Sequence, residues 1–155
     1  MPDQIAERSE ALFKQGLYCA ESVLLAIAES RGLRSELIPK MATGLCSGIA
    51  RTGGMCGAVS GGILAINLVA GRNHPDQSVE PSYQLVRAFL SAFELRFGTT
   101  NCERLIGCRL DTAEGQQFFR ENNLREKCQL FTREAARLAS IVLERQTPSQ
   151  DTRSG

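Results

Sequence analysis

The sequence predicts an all-α fold, a compact single-domain helical bundle of about five to seven helices with a buried glycine-rich helix at its centre. Three observations predict it. Apolar residues return at helical spacing in segment after segment, no stretch sustains the two-residue alternation of a half-buried strand, and the breaks fall at Gly, Pro and capping residues. With 155 residues, 43% of them hydrophobic and 23% charged, the composition is globular. One domain is expected over residues 1–146, followed by a polar, disordered tail over 147–155.

The first amphipathic segment runs from Asp3 to Gln15 around Ile5, Leu12 and Phe13, and Gly16 ends it. The second begins near Cys19, with Cys19, Val23, Ala26 and Ile27 on one face, Glu21 in the first turn and Gly32 at the close. Ser35 can cap a short helix holding Leu37, Ile38 and Met41, which Pro39 restricts. Gly44 to Gly54 carries too much glycine for a helix interior and reads mainly as loop.

From Met55 to Gly71 apolar residues surround the helix, the pattern of an element buried on most sides, and Gly57, Gly61 and Gly62 let neighbouring backbones approach. After the polar loop Asn73–Ser78, Pro81 opens a helix whose apolar face is Leu85, Val86, Phe89, Phe93 and Phe97, with Gly98 as terminator. Thr100 and Glu103 read as a capping box, a short helix follows over Thr112–Glu121, and Asn123 with Glu126 repeats the cap before a last long helix. Its stripe is Leu124, Cys128, Phe131, Leu138 and Val142.

A net charge of +1, no Trp and two Tyr argue against nucleic acid or an anionic membrane surface as partner. Residues 52–71 are uncharged, yet Thr52-Gly53-Gly54, Ser60 and Asn67 interrupt them, so they read as a buried helix rather than a membrane span. The charged start, with Asp3, Glu7, Arg8 and Glu10, has no apolar block of a secretory signal, and a cytoplasmic location is expected. Six cysteines in that compartment are not a disulfide framework.

Cys19, Cys56, Cys102 and Cys128 each fall in or near the first turns of a predicted helix. Such positions present unpaired amides and about half a positive charge, which favours thiolate and stabilises an anionic ligand. All four are therefore candidate metal or cofactor ligands in one shared site; packing as small apolar side chains is the alternative for each. No Cys-x-x-Cys occurs, which leaves the thioredoxin dithiol and the close-paired zinc knuckle poorly supported. Cys102 and Cys108 can meet only if the backbone turns near Gly107, and they are the catalytic pair of a dithiol alternative. Cys46 and Cys108 are candidates for supporting or resolving thiols, and Arg51 for the cation that steadies an anionic site. His74, the one histidine, reads as a solvated loop residue, and the glycine-rich run lacks the Gly-Lys-Ser/Thr of a phosphate loop.

Cys56-Gly57-Ala58-Val59-Ser60-Gly61, preceded by Gly48-Ile49-Ala50-Arg51-Thr52-Gly53 and by Gly16-Leu17-Tyr18-Cys19-Ala20, resembles the redox-active family labelled by its C_GCAxxG_C_C pattern. The run from Phe97 to Cys108, and then Cys128, extends the resemblance over about Phe13 to Leu143. It implies that Cys19, Cys56, Cys102 and Cys128 are the four signature cysteines, and that relatives joined to haem modules can hold a two-iron cluster. The chain departs from the pattern at Cys46, where relatives usually have glycine, and reads Cys-Gly-Ala where the label places Gly before Cys.

Three readings follow. In the first, the four thiolates bind an iron–sulfur cluster of [2Fe–2S] type for electron transfer or redox sensing, with an unknown redox partner protein. In the second, the sulfurs act without iron, as a thiol–disulfide oxidoreductase or around structural zinc. In the third, the chain is a non-catalytic interaction domain. A homo-oligomer is compatible with all three.

Overall fold

The helices follow one another as α1 (Pro2–Lys14), α2 (Cys19–Ser30), a 3-10 turn (Lys40–Leu45), α3 (Cys46–Arg51), α4 (Gly57–Ala70), α5 (Glu80–Phe97), α6 (Cys102–Ile106), α7 (Ala113–Glu121) and α8 (Arg125–Arg145). This is a computed structural model, and it describes residues 1–146; the expected tail at 147–155 lies outside the described residues. Among the described residues the fold is all-α, with one isolated antiparallel bridge between Met55 and Asn101. No helix among them is long and apolar enough to cross a membrane.

Helix α4 lies at the centre, packed against α2, α5 and α8, and buries Gly57, Ala58, Val59, Ser60, Gly61, Gly62, Ala65 and Ile66. Gly61 lets a neighbouring backbone approach as expected, whereas Gly62 makes room for a side chain. A Cβ on Gly61 would stand 2.6 Å from the Ala20 carbonyl oxygen, and one on Gly62 would stand 2.4 Å from the Phe89 ring. Phe89 and Phe93 of α5 are wholly buried, and burial of such a side chain stabilises the fold by about 1.5–3 kcal/mol. Phe93, Phe97 and Phe131 form an aromatic cluster, with Phe97 at 4.8 Å from Phe93 and 4.9 Å from Phe131 between centroids. That cluster fixes the first half of α8 against α5.

Helices α1 and α8 pack side by side through small buried residues, and the Ser9 hydroxyl donates to the Thr132 carbonyl at 3.1 Å. Glu10 clamps their rim, accepting from Arg133 at 2.6 Å, Gln129 at 2.7 Å and Lys14 at 3.2 Å. Arg133 foremost holds the Glu10 carboxyl below the usual carboxylate range. A carboxylate with a lowered native pKa contributes stability above its unfolded pKa and loses it as pH falls through the native one. Glu10→Gln should therefore cost about 1 kcal/mol at pH 7 and less near pH 3. Thermal melts of both proteins at the two pH values check this, and an equal gap at both would refute it.

Three local expectations need correction. The Gly44–Gly54 run is not mainly loop: it folds into the 3-10 turn and then α3, which takes the count to eight helices. Helix α3 is a left-handed turn, with φ of 57° at Ser47, 66° at Gly48, 59° at Ile49, 52° at Ala50 and 67° at Arg51. Left-handed helix costs roughly 1–2 kcal/mol per non-glycine residue, so packing and hydrogen bonds must hold it. Gly54 N–H donates to the Gly48 carbonyl at 2.9 Å, and the Thr52 hydroxyl to the Ile49 carbonyl at 2.7 Å. At α6 the capping side chain is Asn101, not Thr100: its Oδ1 accepts from Arg104 N–H at 3.0 Å. Asn123 does not cap α8; it takes a left-handed turn at φ 52° instead, and Leu124 precedes the helix.

Candidate functional site

Four helix starts converge at one end of α4. Cys19 is the first residue of α2, whose start is fastened by Glu21: its Oε1 accepts from Tyr18 N–H at 3.0 Å. Cys56 immediately precedes α4 and Cys102 opens α6. A short ladder ties these two starts together, with Cys56 N–H donating to the Thr100 carbonyl at 2.7 Å and Cys102 N–H to the Gly54 carbonyl at 2.8 Å. The Asn101 amide adds a bond to the Gly53 carbonyl at 2.8 Å. Cys128 lies in the first turn of α8, one turn before Phe131, so the aromatic cluster positions it.

Cys19, Cys56, Cys102 and Cys128 all line a single cavity of about 250 Å³. Its remaining wall includes Phe13, Tyr18, Leu105, Ile106, Phe119 and Phe131, together with Arg51, Arg120 and Arg125. Two glycines make room for the sulfurs. A Cβ on Gly57 would stand 2.3 Å from Cys19 Sγ, and one on Gly48 would stand 2.6 Å from Cys102 Cβ and 3.0 Å from its Sγ. Gly48 belongs to the left-handed turn, which thus brings a bare backbone against Cys102 and sets Ser47 and Arg51 on the cavity wall.

Cys46 and Cys108 stand outside the cavity lining. Cys108 follows the left-handed Gly107, whose φ of 75° turns the chain after α6, and it is near enough for a charge there to disfavour a thiolate on Cys102 or Cys128. Cys46 is buried against α2, with its Sγ 3.8 Å from Glu21 Oε1 and 3.7 Å from the Ala42 carbonyl oxygen. All six cysteines are free thiols. Among the described residues, no three His, Cys, Asp or Glu side chains gather closely enough to hold a single metal ion. His74 lies exposed in its loop.

The helix-start argument anticipates acidified thiols, and here burial outweighs it. Desolvation pushes Cys56 up to about 12, although Ala58 and Val59 amides of α4 act in the opposite sense. Cys128 is pushed up to about 12 and Cys102 to about 11, burial again being the main cause, with Arg125 partly offsetting it at Cys128. Without a cation in the cavity these three sulfurs are protonated at neutral pH. A bound metal centre would displace those protons, because metal ligation takes place through thiolate.

The sequence reading missed Arg120 and Arg125 on the wall. Arg125 carried a signal, since it precedes Cys128 by three residues and so shares its helix face. Its guanidinium lies over the Phe13 ring, 5.0 Å from the centroid, and donates to the Phe13 carbonyl at 3.4 Å. Arg120 lies on α7, brought in by the turn after Cys108, and had no comparable mark.

A family model described as "Putative redox-active protein (C_GCAxxG_C_C)" matches residues 17–142. The chain belongs to this family. The matched span takes in all six cysteines of this C_GCAxxG_C_C protein and both glycines that face Cys19 and Cys102. No curated protein and no solved structure matches the chain.

Proposed function

We propose that residues 1–146 form one redox unit in which Cys19, Cys56, Cys102 and Cys128 hold an iron–sulfur cluster for electron transfer or redox sensing. The observation that carries this reading is the cavity, which collects these four thiols from four helices and leaves Cys46 and Cys108 out. The residues fit such a group on chemical grounds. Four soft sulfur donors complete a two-iron centre, glycines at 48 and 57 keep the space beside two of the sulfurs clear, and three arginines on the wall compensate the negative charge of a tetrathiolate cluster. A multi-atom group also suits sulfurs that do not gather on one ion, which makes structural zinc the weaker reading.

When bound, the cluster supplies reversible one-electron chemistry. The protein's own part is to fix the ligands on helix starts, to exclude water with Phe13, Phe119 and Phe131, and to balance charge with Arg51, Arg120 and Arg125. Six free thiols support a reducing compartment, the cytoplasm, and a redox partner protein would exchange the electron. The metal-free dithiol reading draws support from the closeness of Cys102 and Cys108, but Cys108 does not line the cavity that Cys102 shares with the other three thiols.

Anaerobic reconstitution with iron and sulfide tests the proposal. About two irons and two sulfides per chain, with visible absorption that bleaches on reduction, are expected. A protein that stays colourless and free of iron would overturn it.

A further inference from the structure

We propose that Cys19 and Cys46 are a peroxide-sensitive dithiol whose oxidation joins the two sulfurs and withdraws Cys19 from the cavity. Nothing in the four-thiol site needs Cys46, yet it is buried beside Cys19. The closeness is built in by Gly57: a Cβ there would stand 2.3 Å from Cys19 Sγ and 3.0 Å from Cys46 Cα, so both residues crowd the same bare backbone. Glu21 Oε1 and the Ala42 carbonyl, at 3.8 and 3.7 Å, hold the Cys46 sulfur on this side of α2.

Accessibility sets the order of events. Cys19 is half-buried and opens onto the cavity, whereas Cys46 is buried and does not. Hydrogen peroxide meets Cys19 first and transfers one oxygen to it, giving a sulfenic acid and one water. The Cys46 sulfur then attacks the Cys19 sulfur; an S–S bond forms, the S–O bond breaks, and the hydroxyl leaves with the Cys46 proton as a second water. The two sulfurs together lose two electrons and the peroxide gains them. Loss of a cluster ligand on oxidation rests on the reading above; the disulfide itself does not.

The test uses the reduced, metal-free full chain, treated with one equivalent of hydrogen peroxide, alkylated and digested with trypsin. Peptides 15–31 and 41–51, which carry Cys19 and Cys46, should appear joined, and the other four thiols should be alkylated. In Cys46→Ala, Cys19 should instead be trapped as a sulfenic acid by a dimedone probe. A map in which Cys46 is alkylated, or in which Cys102 and Cys108 carry the disulfide, overturns the proposal. A second arm loads the parent and Cys46→Ala with iron and follows peroxide treatment, where loss of iron from the parent should run in step with the appearance of the joined peptides. If neither protein takes up iron, the cluster reading fails while the peptide map still decides the disulfide.

Discussion

Changing Cys19, Cys56, Cys102 or Cys128 to Ser, one at a time, should reduce iron retention after reconstitution and desalting by about tenfold or more. Residues that merely support metal ligands cost 10–100-fold on replacement, and a direct ligand should cost at least as much. Cys108→Ser and Cys46→Ala should stay within about twofold of the parent, since neither residue lines the cavity. Iron assay and visible spectra give the comparison, and circular dichroism of each metal-free variant separates lost ligation from lost folding. If Cys108→Ser is as damaging as Cys102→Ser while Cys19→Ser is harmless, the four-thiol site falls. If all six changes are silent, the cysteines serve only to pack.

The positions of the helices were readable because their ends are written in short-range chemistry. Gly98 stops α5 with a left-handed φ of 88°, the short helix expected from Thr112 runs over Ala113–Glu121, and Glu21 stands in the first turn of α2. The placement of Cys19, Cys56, Cys102 and Cys128 at helix starts was legible for the same reason. Each marks a helix start, and helix starts can be found from sequence.

What sequence reading missed depends on contacts between distant residues. Four non-glycine residues of 47–51 adopt left-handed backbone against their own preference, held by the Gly48–Gly54 and Ile49–Thr52 hydrogen bonds and by the fit of Gly48 against Cys102, more than fifty residues on. No local rule predicts that. Thiol acidity was misjudged on similar grounds: the helix-start field is local and visible in sequence, whereas the desolvation that outweighs it comes from a cavity assembled by several helices.

Gly61→Ala should destabilise the fold by forcing open the contact between α2 and α4. Its Cβ would stand 2.6 Å from the Ala20 carbonyl oxygen, 2.7 Å from Ala20 Cα and 3.0 Å from the Ala20 carbonyl carbon, all of them backbone atoms that no side-chain rotation can move aside. Helices α2 and α4 would have to part. Overpacking of this kind costs about 1–3 kcal/mol, and the roughly 1 kcal/mol that alanine gains over glycine in a helix offsets only some of it. Because α2 carries Cys19 at its start and Cys56 stands at the start of α4, the same parting would spread two of the four sulfurs and lower iron retention as well. Gly44→Ala is the matched control, since a Cβ there meets nothing within 4 Å, and it should leave stability within about 0.5 kcal/mol of the parent. Urea denaturation of the metal-free proteins reads the first effect, and iron content after reconstitution reads the second. A Gly61→Ala protein with the parent's midpoint would mean that the α2–α4 contact yields at no cost, and that the spacing of Cys19 and Cys56 is not set by the bare face of α4.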